Sequence, residues 1–230
     1  MNYKGLIIVS ALMVSGAASA VTILVDDFSN GNITQNVDSF GMEAIANTPA
    51  SVLGGNRGTY IGQTTTDNLQ RSQLRVASNR LAVSNDDGVA NSATLAYGAA
   101  GTSGPNTFLL NFATNLSLGT NDALKLSFIR NDLPLTVYVD LYSNGTTVAA
   151  SYTKIVSGGQ FSPFDVMIGA ADLTSGSATW NDFDMMAISF DTNVNGDFSL
   201  GRVEAVPEPA TMLALSAGLV AMARRRKNRK

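Results

Sequence analysis

From Leu135 to Ser143 the chain reads LTVYVDLYS, and from Thr146 to Lys154 it reads TTVAASYTK. Apolar and polar positions alternate in both segments with a period of two, the spacing at which a strand turns successive side chains to opposite faces. Between them lies Asn144-Gly145, a pair suited to the positive φ angles of a type I′ turn. The pattern predicts a hairpin in which Ser143 opposes Thr146, Leu141 opposes Val148, Val139 opposes Ala150 and Val137 opposes Tyr152. These residues form a core face. On the other face Tyr142 opposes Thr147, Asp140 opposes Ala149 and Tyr138 opposes Ser151. One apolar and one half-polar face is what a strand in a two-layer sandwich requires.

The same reading predicts strands at Thr22–Phe28, Gln70–Ala77, Arg80–Ser84, Ser92–Tyr97, Thr107–Ala113, Leu124–Arg130, Phe164–Ile168, Met186–Asp191 and Phe198–Ala205. In the sixth of these, Leu124, Leu126 and Phe128 alternate with Lys125, Ser127 and Ile129. Ala170–Leu173 fits one helical turn. Segments rich in Asn, Gly, Ser and Thr separate the runs. The middle of the chain has no long stretch of helical period and no internal repeat. Many short strands with turn residues between them predict an all-β fold, an antiparallel β-sandwich of jelly-roll type.

The two ends break this pattern. Met1–Ala20 has Lys4, an apolar run from Leu6 to Val14, and Ala18-Ser19-Ala20. A charged start, an apolar stretch and an A-x-A site predict a secretory signal peptide for the Sec machinery, cleaved after Ala20. At the other end, Val206-Pro207-Glu208-Pro209 leads into the uncharged run Ala210–Ala223, followed by Arg224, Arg225, Arg226, Lys227, Asn228, Arg229 and Lys230. Pro209 suits a first helical position. Fourteen helical residues span roughly 21 Å, and the long basic stems extend that reach toward the thickness of a bilayer. The positive-inside rule holds the basic cluster in the cytoplasm and puts the bulk of the chain outside.

Pro207-Glu208-Pro209, one apolar helix and an Arg cluster together resemble the sorting signal of PEP-CTERM proteins, the substrates of exosortase. The resemblance covers residues 206–230. It implies a Gram-negative bacterium that makes extracellular polysaccharide, a transient anchor in the inner membrane, and cleavage near Pro207-Glu208-Pro209. The product is then surface-attached or released. The chain divides accordingly into a signal peptide (1–20), a β-sandwich domain (21–205) and a sorting signal (206–230). The order of pieces in the middle also resembles jelly-roll, galactose-binding-like domains. Asp26-Asp27-Phe28 opens it, and Phe161–Leu173, Trp180-Asn181, Ala187–Phe190 and Phe198–Ala205 close it.

Charge and composition narrow the functions available. Residues 21–206 carry eight basic and seventeen acidic residues, a net charge near −9. Such a domain is a poor partner for nucleic acid or an anionic membrane surface. The chain has no cysteine and no histidine, which removes disulfides, Ser-His-Asp and Cys-His nucleophilic sites, and the usual zinc sites.

Candidate chemistry is then confined to tyrosines and carboxylates. Tyr138, Asp140 and Tyr142 share the non-core face of one strand. Two aromatic rings over a floor of small residues can stack on sugar rings while the carboxylate accepts hydroxyl hydrogen bonds; equally, the tyrosines can simply cover the sheet. Asp191, Asn193, Asn195 and Asp197 alternate as in a calcium loop, but Asp and Asn also favour turns through their own side chains, and no metal ligand is assigned. A glycosidase needs two facing carboxylates, and no catalytic residue is assigned. Trp180, the single tryptophan, fits the core better than a binding platform.

The expected function is that of an exported, exosortase-processed surface or matrix protein without enzymatic activity, structural or adhesive, associated with exopolysaccharide or biofilm. A carbohydrate-binding module for a defined glycan is the alternative, and a polysaccharide hydrolase the third reading.

Overall fold

The computed structural model describes residues 21–39, 41, 43–65, 70–98, 116–119, 121–143, 147–176 and 180–207. Fourteen strands are formed among them. In the first half these are β1 (Ile23–Asp26), β2 (Ile33–Val37), β3 (Glu43–Pro49), β4 (Asn56–Gln63), β5 (Ser72–Val76), β6 (Leu81–Asn85) and β7 (Asn91–Tyr97). The second half adds β8 (Ala123–Asn131), β9 (Leu135–Ser143), β10 (Thr147–Val156), β11 (Phe164–Ile168), β12 (Leu173–Gly176), β13 (Met185–Thr192) and β14 (Phe198–Val206). A 3-10 turn, Ala170–Asp172, stands where one helical turn is expected.

Two seven-stranded antiparallel sheets pack face to face. The first runs β11-β8-β14-β6-β5-β2, with β1 also against β14; the second runs β12-β10-β9-β13-β7-β4-β3. This is an antiparallel β-sandwich with jelly-roll-like crossing between layers. The alternation that predicts β8 is realised: Leu124, Leu126 and Phe128 are buried, whereas Lys125, Ser127 and Ile129 are partly exposed. From the first sheet Leu74, Leu81, Leu126, Phe198 and Leu200 meet Ile61, Leu95, Val139, Ile188 and Phe190 from the second. Phe128 stacks on Phe164 at 5.2 Å and meets Phe190 edge-on at 6.5 Å. Trp180 is buried against Tyr152, with ring centroids 4.7 Å apart, so it is a core anchor.

Four strands escape the sequence pattern: β2, β3, β4 and β12. In β4, the segment NRGTYIGQ, glycines interrupt the apolar alternation; Gly is disfavoured in strands for want of a side chain to pack. The expected strand at 107–113 and the Asn144-Gly145 turn lie outside the described residues.

The β9–β10 register differs from the expected one. Ser143 pairs with Thr147 rather than Thr146, and Tyr142 with Val148. A bulge between Val148 and Ala150 then shifts the register again, so Leu141 faces Ala150, Asp140 faces Ser151, Val139 faces Tyr152 and Tyr138 faces Thr153. A bulge adds one unpaired residue to one strand, and a one-residue slip sends a side chain to the opposite face. Val148, expected in the core, is therefore 43% exposed, whereas Ala150 and Tyr152 reach the core as expected.

The two ends of the domain lie side by side. Ile23, near the start of the expected mature chain, pairs with Ala205 of β14, and Val206 pairs with Ala123. The last strand ends where Pro207 begins, because proline lacks the N–H a ladder needs. A cut after Val206 therefore leaves the sandwich complete.

Candidate functional site

The face of the second sheet turned away from the core gathers the chemistry that the sequence suggests. Pairings across β4, β7, β13 and β9 align Tyr60, Thr94, Ser189 and Tyr138 in one row. The adjoining row is Gly58, Ala96, Ala187 and Asp140, continuing to Ser151 of β10. On the other side lie Gly62, Ser92, Asp191 and Thr136, with Glu43 of β3 opposite Gly62. Tyr142 stands at the far end of β9 between Met185 and Val148.

Small residues form the floor and tyrosines form its rim. Ala96, Met185 and Ala187 are buried on this face, and Tyr60 and Tyr142 pack against them. The hydroxyls of Thr94 and Ser189 meet at 2.9 Å in the centre. Tyr138 is 36% exposed and rises from the floor. At ~4.8 Å per strand, Tyr60 and Tyr138 stand roughly 14 Å apart across the sheet; Tyr138 and Tyr142, four residues apart, are separated by about 13 Å along β9.

Tyr60 owes its flat pose to a glycine. A Cβ built on Gly62 would fall 2.8 Å from the Tyr60 ring carbon Cζ and would collide with the hydroxyl. The ring occupies that vacant space, and its hydroxyl donates to Glu43 Oε1 at 3.2 Å. Burial, followed by the Glu43 carboxylate and then Asp191, pushes the Tyr60 phenol up to about 12. Burial, with Asp140 as the second cause, also raises the Tyr142 phenol. At neutral pH both hydroxyls keep their protons and remain donors.

Asp140 accepts a hydrogen bond from Ser151 Oγ at 2.5 Å through Oδ1. Its other oxygen has no hydrogen-bond partner among the described residues. The three sequence-predicted residues, Tyr138, Asp140 and Tyr142, thus share one face. The sequence pattern missed Tyr60 and Glu43 as their companions, because β3 and β4 were not legible, and Asp191, because the neighbour of its strand β13 in the sheet is not readable from alternation. A Tyr flanked by glycines two residues away on each side was the one available signal.

Two other polar clusters are structural. Asp26 and Arg57 form a buried pair that also engages Tyr97. In the Asp191–Asp197 segment, Asn193, Asn195 and Asp197 spend their side chains on neighbouring loops. Asn193 donates to the Pro134 carbonyl, Asn195 accepts from Gly88 N and donates to Asp87, and Asp197 accepts from Asn85 N. Those polar atoms bind separate partners rather than one centre. Among the described residues no group of three or more acidic side chains gathers as for a metal ion.

The C-terminal segment matches the family model described as the PEP-CTERM protein-sorting motif, over residues 205–227. The chain carries a PEP-CTERM sorting signal. The motif begins on the last two residues of β14 and includes Pro207, Glu208, Pro209 and the cluster Arg224, Arg225, Arg226 and Lys227. It marks an exported protein whose C-terminal signal exosortase processes for the surface. Glu208 onward, including the expected membrane helix, lies outside the described residues, as do Ala18 and Ala20 of the expected signal-peptide site.

No curated protein matches the chain. Among solved structures, the family 11 carbohydrate-binding module of a cellulosomal cellulase of Clostridium thermocellum is similar at a TM-score of 0.44 and 8% identity, covering 81% of this chain and 95% of that one. A CBM29-2 mutant complexed with mannohexaose is similar at a TM-score of 0.40 and 8% identity, covering 80% of this chain and 90% of that one. TmCBM61 in complex with β-1,4-galactotriose is similar at a TM-score of 0.31 and 9% identity, with 74% and 92% covered. At these values the similarity has no bearing on what this chain binds.

Proposed function

We propose that this PEP-CTERM protein is a non-catalytic polysaccharide holder of the cell surface or extracellular matrix. Its signal peptide is removed after Ala20, the apolar helix anchors it transiently in the inner membrane, and exosortase cuts near Pro207-Glu208-Pro209. The released sandwich, residues 21–205, then grips exopolysaccharide in a structural or adhesive role. The observation that supports this reading is the outer face of the second sheet, where Tyr60, Tyr138 and Tyr142 rim a floor of alanines and hydroxyls beside Asp140. Sugar rings stack their C–H faces on such aromatic platforms, and their hydroxyls donate to a carboxylate such as Asp140.

The placement of acids favours binding over hydrolysis. Glu43 and Asp191 lie three strands apart in one row, and Asp140 lies one strand over and four residues along from Asp191. Each pair has backbones separated by roughly 14 Å, whereas a glycosidase sets its two carboxyl groups ~5–9.5 Å apart across the scissile bond.

Affinity electrophoresis of the mature domain against soluble polysaccharides tests the reading. Retardation in at least one glycan gel is expected, abolished by Tyr138→Ala with Tyr142→Ala while the thermal midpoint stays near that of the parent. Unretarded migration in every gel, or retardation indifferent to the double substitution, defeats it. Release of reducing ends from a retarding glycan would favour the hydrolase.

A further inference from the structure

The charge on the platform is of one sign. Glu43, Asp140 and Asp191 surround the tyrosines, and Glu43 and Asp191 are exposed. The outward positions of β3, β4, β7, β13, β9 and β10 carry neither Lys nor Arg among the described residues. The exposed basic residues lie elsewhere. Arg75, Lys125, Arg130 and Arg202 belong to strands of the first sheet, and Lys154 is held by Asp172 at 2.8 Å. The two outer faces of the sandwich therefore differ in charge, and the tyrosine-bearing one is purely acidic.

From this asymmetry we infer that the platform selects a linear polysaccharide bearing protonated amino groups, and rejects uronate-rich or sulfated chains. The inference rests on the proposed polysaccharide-holding role. Tyr60 and Tyr138 mark a row perpendicular to the strands, roughly 14 Å long, so the sugar chain crosses β4, β7, β13 and β9 rather than following one strand. Along that path the rings stack on the two tyrosines. Sugar hydroxyls meet the partly exposed Ser189. Ammonium groups on alternate edges of the sugar chain come under Glu43 and Asp191 on one side and Asp140 on the other. Each such contact is a charge-assisted hydrogen bond, stronger than its neutral counterpart. A carboxylate or sulfate on the ligand would meet three like charges and no compensating cation, a juxtaposition that suppresses the wrong partner.

The test uses the mature domain and four β-1,4-linked hexamers: glucosamine, N-acetylglucosamine, glucose and an acidic uronate. Binding is measured by isothermal titration near pH 5.5, where the amines of the ligand are charged. The glucosamine hexamer should bind roughly tenfold tighter than either neutral hexamer, and this advantage should shrink in half-molar salt. The acidic hexamer should show no binding. Glu43→Gln with Asp191→Asn should remove most of the preference for the amine while leaving neutral binding, since Gln keeps the acceptor used by Tyr60. Equal binding of amine and neutral hexamers, or any preference for the uronate, overturns the charge selection and leaves the tyrosine platform intact. A Tyr60→Ala variant with unchanged affinity overturns the cross-strand path. Failure of all four hexamers together with every neutral polymer would instead sink the polysaccharide-holding role itself.

Discussion

Arg57 clamps Asp26 with both ends of its guanidinium, Nε to Oδ2 at 2.6 Å and Nη2 to Oδ1 at 2.6 Å, in a site where the two side chains are 1% and 0% exposed. The remaining nitrogen donates to the Asn30 carbonyl at 2.9 Å, and the plane lies over the Phe28 ring at 5.2 Å. Asp26 also accepts from Tyr97 Oη at 3.0 Å and from Phe28 N at 2.8 Å. The pair ties β1 and its following loop to β4 and β7, and so joins the two sheets beside the first strand. A buried pair of this kind is costly to break from one side, because the surviving charge stays buried. Arg57→Met should destabilise the domain by about 3–5 kcal/mol. Asp26→Leu combined with Arg57→Met should cost less than the sum of the two singles, which urea unfolding of the double-mutant cycle checks.

Alkaline pH should weaken the fold. Complete burial, with Asp26 as the second cause, holds the Tyr97 phenol well above its ordinary range, and Tyr60 is pushed up to about 12. Both groups bind their protons more tightly folded than unfolded. Their stabilising contribution is complete below the unfolded value near pH 10 and is lost as pH rises through the folded values. The urea midpoint should therefore hold between about pH 8 and pH 10 and fall above that. Tyr97→Phe should be less stable at pH 8, through the lost hydrogen bond, yet show a shallower alkaline decline.

Gly62→Ala should act on Tyr60 more than on the fold. The new methyl displaces the far end of one ring, a rotamer adjustment costing about 0.5–1.5 kcal/mol. Once moved, Tyr60 loses the Glu43 contact and part of its burial. In ultraviolet titration of the tyrosines, the one ionising near pH 12 should shift toward the ordinary value near 10. An unchanged titration would show that Gly62 does not set the pose.

Trp180, packed on Tyr152, reports on the core. Its emission should be blue-shifted in the folded protein and move to the red in one cooperative step with denaturant. Trp180→Ala should cost about 3–5 kcal/mol by opening a cavity, with Trp180→Phe costing less. Red-shifted emission from the native domain would contradict the buried position.

Replacing Pro207, Glu208 and Pro209 by alanines should leave an unprocessed protein in the inner membrane. Intact mass of the parent from the surface or medium should fit a chain from Val21 to near Val206. Normal processing of the triple-alanine variant would remove these residues from the recognition of the chain by exosortase.

The sequence by itself determined the elements whose signal is local. Period-two alternation in Leu124–Arg130 and Leu135–Ser143 identified strands because neighbouring residues in a strand must face opposite ways, whatever lies beside them. The terminal sorting signal was legible for the same reason: apolar run, prolines and basic cluster are contiguous. Tertiary structure decided what depends on partners far along the chain. Glycines that weaken the β signal of β4 are what let Tyr60 lie flat, and only the order β4-β7-β13-β9 brings it into line with Tyr138. A bulge at one residue of β10 turned Val148 outward, a shift that alternation cannot reveal because it preserves the pattern on either side. Arg57 and Asp26, thirty-one residues apart, carry no mark of pairing in the sequence; the packing of β1 on the sandwich removes water from both and sets each against the other as its counter-ion.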